Sequence, residues 1–121
     1  VAKFLKSHKK VKNVSYHGLE SDPQHARAQK YFENGDVSGL LNFDVEDFEE
    51  AKKLIDKTEL FSIVVNIGDS KSLIVHPAST THQQLPEADQ LKSGIRPGMI
   101  RLSIGLEDSA DLIADLEKAL G

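Results

Sequence analysis

Cysteine is absent from the chain, so no disulfide, thiolate nucleophile or cysteine-based zinc site can be built from it. Tryptophan is also absent, and methionine occurs once. No apolar run reaches the roughly 20 residues that a membrane-spanning helix requires, and no secretory signal pattern is present. Positive charge is not in excess: 15 Lys and Arg stand against 19 Asp and Glu, a formal net charge of −4, with the two signs interspersed. Binding a phosphate backbone needs a basic face, so nucleic acid is not the expected partner. A glycine-rich phosphate loop is missing as well, because Asn66-Ile67-Gly68-Asp69 lacks the further glycines and the downstream helix. A reducing cytoplasm is the simplest compartment for such a chain.

What remains is an ordinary globular composition. The 121 residues, 39% hydrophobic and 28% charged, make one domain that can bury about two thirds of its unfolded surface. Val1, Phe4, Leu5 and His8 open the chain at helical spacing with neither a capping residue nor Met ahead of them. A helix that starts in mid-pattern suggests that residues once preceded it; an engineered domain boundary or Met removal is the alternative.

Val11 to Tyr16 reads as a short strand, and Asp22-Pro23 starts a helix running to about Phe32. Asn34-Gly35-Asp36 is a turn. Alternation from Val37 to Val45 predicts a half-buried strand, with Asn42 among its polar positions and Leu40 as its exception. Asp44 can cap a helix over 45–57 whose Phe48, Ala51, Leu54 and Ile55 share one face. Phe61, Ile63, Val65 and Ile67 form the apolar face of a second strand, leaving Asn66 opposite. Ser72 to Val75 is a short extended piece, and 77–84 a polar loop. Leu85, Ala88 and Leu91 mark a short helix closed by Gly94. Ile100, Leu102, Ile104 and Leu106 face inward from a third strand, with Arg101 and Ser103 on its other side. Asp108 or Ser109 then begins a final helix carrying Leu112, Ile113, Leu116 and Leu120. The pattern predicts α+β: a mostly antiparallel sheet with helices packed on one face.

Arg101 is the outstanding residue, a guanidinium in an apolar strand. It can grip a ligand carboxylate through paired charge-assisted bonds, or it can form an internal salt bridge to Glu107 or Asp108. Asn66 offers an amide beside it, or simply introduces the Gly68 turn. His76 and His82 bracket a hydroxyl-rich loop, but no third ligand supports a metal site. Ser79 and Thr81 lack an assignable base for nucleophilic catalysis. The acidic run Glu46, Asp47, Glu49 and Glu50 suits a solvated helix start.

SGLLNFDV, NIGDSKSLIVHPASTTH and GMIRLSIGLEDSADLIADLEKAL, with the opening VAKFLKSHKKVKNVSYHGLES, resemble the C-terminal domain of the Cys/Met-metabolism family of pyridoxal-phosphate enzymes. The resemblance covers nearly the whole chain. Asn66 with Ser79-Thr80-Thr81-His82 is most similar to the O-acetylhomoserine sulfhydrylase branch; the lyase and synthase branches usually carry Ser and Met where this chain has Asn66 and Thr80. At His17 relatives often have Pro, a departure that affects a turn.

The resemblance implies the small C-terminal domain (1–121) of a fold-type I transferase whose large N-terminal domain, absent here, supplies the cofactor lysine and holds pyridoxal 5'-phosphate. It implies that Arg101 anchors the substrate α-carboxylate, that Asn66 is its hydrogen-bonding companion, and that Thr81 and His82 lie near the active-site entrance. No catalytic residue or metal ligand is expected in this chain, which alone should be inactive. The implied partners are O-acetylhomoserine, sulfide or a thiol, and further copies in a homotetramer. Fixing the carboxylate would select which Cα bond is labilised. Cystathionine γ-synthase or methionine γ-lyase activity, a stand-alone amino-acid-binding module, and a ligand-free scaffold are the other readings.

Overall fold

The computed structural model describes all 121 residues. Helix α1 (Ala2–Ser7), strand β1 (Asn13–Ser15), helix α2 (His25–Tyr31), strand β2 (Leu40–Asp44) and helix α3 (Phe48–Lys57) form the first half. Strand β3 (Leu73–Val75), helix α4 (Glu87–Lys92), strand β4 (Met99–Ser103) and helix α5 (Ser109–Leu120) form the second. The strands make one sheet in the order β1-β2-β4-β3, antiparallel at every pairing. The expected α+β architecture is the one observed.

One sheet face is greasy because alternate residues project from it. Leu41 and Phe43 of β2, Ile74 of β3, and Ile100 and Leu102 of β4 meet Leu5 of α1, Ala51, Leu54 and Ile55 of α3, and Leu112, Leu116 and Leu120 of α5. Each fully buried Leu or Ile contributes about 1.5–3 kcal/mol. Helices α3 and α5 owe their starts to aspartates. Asp47 accepts from Glu50 N–H at 2.9 Å and Asp108 from Ala110 N–H at 2.7 Å, each satisfying an otherwise orphaned helical donor.

Helix α2 starts at His25, with no side-chain cap, rather than at Asp22-Pro23, and the structure departs further from the sequence expectation in three places. Asp44 does not cap α3. It ends β2 in a forked pair with Arg96, whose Nε and terminal nitrogen approach at 2.9 and 2.8 Å. Val45 N–H still bonds Gly98 O at 3.0 Å, so the ladder carries on and the helix must wait for Asp47. The second departure is the stretch 61–67, which is not a strand. Only Phe61 is buried and only Ser62 bridges Leu73, while Ile63, Val65 and Ile67 are 59%, 51% and 65% exposed. Alternation there reports an apolar face, but the pairing with β3 stops at Ser62 and no ladder continues beyond it.

Leu106 is the third: instead of facing inward it is 86% exposed. Strand β4 ends at Ser103 because Gly105 presses backbone to backbone on 70–72; a Cβ there would stand 2.4 Å from Ser70 O. Leu106 N–H then bonds Ser70 O, and its side chain turns outward.

Candidate functional site

The second sheet face carries three polar residues and a valine in one transverse row. Ser15 of β1, Asn42 of β2, Arg101 of β4 and Val75 of β3 are paired across the strands in that order. Around the row the face is closed: Leu73, Met99, Asp44 and Ser103 are all buried, as is Val75 at its end. Arg101 is half-buried. Its one hydrogen bond goes from a terminal nitrogen to the main-chain O of Asn66 at a long 3.4 Å, and no carboxylate lies within ion-pair distance of it.

The internal acid that the sequence offered as a partner is engaged elsewhere. Glu107 accepts from Ser72 N–H and from Ser72 Oγ–H, both at 2.8 Å, and Ser72 Oγ in turn accepts from Gly105 N–H at 2.8 Å. These donors hold the Glu107 carboxyl below its ordinary range, chiefly the Ser72 backbone bond. Asp108 is the cap of α5. Both expected competitors for Arg101 are therefore spent on building the fold.

Asn66 meets Arg101 through its carbonyl, not its amide. Its side chain is exposed, donates to Asp69 Oδ2 at 3.2 Å and accepts from Ile67 N–H at 2.9 Å. Thr81 and His82 form a separate pair, Thr81 Oγ to His82 Nδ1 at 2.7 Å, and no hydrogen bond links them to Arg101 or Asn66. His76, the other histidine of that loop, is a structural residue. Its Nε2–H donates to Pro97 O at 2.6 Å and its Nδ1 accepts from Ser79 Oγ–H at 2.9 Å. This fixes the neutral tautomer, and burial lowers the imidazole pKa from its ordinary 6.5.

Sequence reasoning placed Asn42 on a polar strand face but assigned it no role. In the structure its Oδ1 is shielded from solvent and has no hydrogen-bond partner, alone among buried side-chain polar atoms. Such an orphan costs about 1–3 kcal/mol. Its signal in the sequence was the alternation that puts Asn42 opposite the side of Leu41 and Phe43.

A more enclosed cleft of about 280 Å³ lies apart from this row, rimmed by Lys9, Lys10, Lys12, Lys53 and Lys57, and lined by none of the four candidate residues. The helix dipoles and nearby acids account for its cations: Lys10 holds the Leu120 carbonyl, while Lys12 and Lys53 pair with Glu46 and Glu50.

The fold is thus an α+β domain whose sheet carries one half-buried guanidinium that no carboxylate of the chain pairs. Comparison with known proteins gives the particular family. Residues 1–121 match the family described as Cys/Met metabolism PLP-dependent enzyme, and the chain belongs to that family. It is 50% identical over 121 residues to an O-acetyl-L-homoserine sulfhydrylase of Leptospira meyeri, covering 99% of this chain and 27% of that protein. It is 40% identical over 121 residues to an L-methionine gamma-lyase of Fusobacterium nucleatum subsp. polymorphum, covering 99% of this chain and 30% of the other. A crystal structure of a candidate O-acetylhomoserine (thiol)-lyase from Campylobacter jejuni, bearing N'-pyridoxyl-lysine-5'-monophosphate, superposes with a TM-score of 0.92 at 54% identity, covering 98% of this chain and 28% of that one. The chain thus spans under a third of the length of these relatives.

The residues of this chain do not fit the cofactor itself. Every lysine is exposed, whereas a lysine that bonds the cofactor needs a desolvated pocket to lower its pKa. No glycine-rich cradle for the phosphate accompanies any of them.

Proposed function

We propose that this chain is the C-terminal substrate-binding domain of a PLP-dependent O-acetylhomoserine sulfhydrylase. The whole enzyme replaces the acetate of O-acetyl-L-homoserine with sulfide or a thiol: the Cγ–O bond to acetate breaks, a Cγ–S bond forms, and homocysteine or methionine leaves with acetate. The observation that carries the reading is the unopposed guanidinium of Arg101 on a face where Glu107 and Asp108 are already committed. Arg101 takes the substrate α-carboxylate in a forked pair, and the Asn66 carbonyl steadies the guanidinium from behind. Thr81, exposed, and His82, half-buried, are tied to each other and stand at the entrance.

A large N-terminal domain holding the cofactor completes the subunit in this reading, and four subunits assemble in the cytoplasm. The apolar ribbon from Ile63 to Ile67, exposed here, supports it, since patches of this kind mark docking surfaces.

The test is product analysis on the full-length protein. O-acetyl-L-homoserine with sulfide should give homocysteine and acetate faster than methionine or cystathionine is cleaved. Preferential release of methanethiol from methionine would favour the γ-lyase reading, which the Fusobacterium relative makes the principal competitor. Light scattering of the same preparation checks the tetramer.

A further inference from the structure

The shielded oxygen of Asn42 stands across the ladder from Arg101. The registers bond Ile104 N–H to Gly39 O and Val45 N–H to Gly98 O, and bonded and non-bonded pairs alternate along an antiparallel ladder. Counting along it, the Asn42–Arg101 pair is a non-bonded one, where facing side chains come closest, with Cβ atoms about 5 Å apart. On the far side of Arg101 is Val75, which offers no polar side-chain atom. Beyond Asn42 is Ser15, whose hydroxyl makes no bond to the amide. The row therefore holds one orphaned acceptor beside one guanidinium that has used a single donor, and that one on a 3.4 Å contact.

We propose that Asn42 is a positioning residue for the substrate carboxylate, an inference that rests on Arg101 being the anchor. When a carboxylate occupies the outer edge of the guanidinium, the terminal nitrogens turn toward it. The inboard Nε–H, nearest the strand, is then left to donate to Asn42 Oδ1. That bond fixes the plane of the guanidinium and satisfies the orphan. It explains why a polar amide is retained at a site where an apolar residue would pack without loss.

The test uses the full-length enzyme, with O-acetyl-L-homoserine as the varied substrate. Asn42→Leu should raise KM about tenfold, the value of a hydrogen bond to a charged group, with kcat within about twofold. Its melting temperature should be unchanged or higher, because an unsatisfied acceptor has been removed. A purely structural role would lower stability and leave KM alone. In an Arg101→Lys background, which lacks the Nε–H, Asn42→Leu should add nothing further. Asn42→Ala serves as the second variant if Asn42→Leu does not fold, with the same expectation for KM.

An unaltered KM in the folding variant overturns the proposal, as does an equal KM rise in the Arg101→Lys background. Failure of the anchor reading is separable: then Arg101→Ala would itself leave KM unchanged.

Discussion

Arg96 and Arg101 flank the start of the same strand and have opposite fates. Arg96 is gripped by Asp44 through two short bonds, and Asp44 is further tied to Asn13 at 3.3 Å. Arg101 has no acid at all, although acids lie close to it in sequence. Arg96 is answered by its own chain; Arg101, which we propose serves a ligand, is left unanswered while its neighbours are occupied. Ser72 and the α5 N-terminus do that occupying here, drawing Glu107 and Asp108 away.

The contrast can be broken most decisively at Arg101. Arg101→Ala should cut kcat/KM for O-acetyl-L-homoserine roughly a hundredfold, the loss of about 3 kcal/mol of charge-assisted bonding, with the melting temperature unmoved. Steady-state kinetics beside a thermal scan checks both halves; a destabilised but kinetically normal variant would show the residue to be structural. Arg96→Ala should do the reverse. It strands the buried Asp44 carboxylate and costs about 2 kcal/mol of unfolding free energy, with KM held, read from urea titration.

Glu107→Gln sharpens the claim that this acid is no partner of Arg101. It should lower stability by about 1 kcal/mol, by weakening the bonds to Ser72, and leave KM unchanged. A fall in KM would mean that Glu107 had been competing for the guanidinium. The smallest effect belongs to pH. The His76 pKa is lowered by burial, so the unfolded chain protonates before the folded one. Stability is full above the unfolded value near 6.5 and is lost as pH falls through it. Denaturant midpoints across that window, compared with His76→Gln, should show the slope flatten in the variant.

Much of this molecule was legible in the order of its residues. Helices α3 and α5 announce themselves because period and end signals are local: Ala51, Leu54 and Ile55 share a face, and an aspartate precedes each first turn. The aspartate for α3 was misassigned, since Asp44 and Asp47 are equally good caps until Arg96 takes the first. Strands β2 and β4 were visible as alternation, but alternation carries no register. The facing of Asn42 and Arg101 could not be read without it. Residues 61–67 show the same gap from the other side: an apolar rhythm says that a surface is to be covered, not by what. Arg101 stood out in the sequence as a guanidinium in an apolar strand, but its lack of an acidic partner depended on Glu107 being held by Ser72, a contact across distant parts of the chain.

That uncovered rhythm has a practical corollary. Ile63, Val64, Val65 and Ile67 are exposed just after the one bridge to β3, an edge strand of the sheet, with little charge among them to discourage self-association. Produced by itself, the polypeptide should grow turbid as its concentration rises and clear with mild chaotrope. A lysine introduced at Val65 is the simplest route to a sample that stays dispersed.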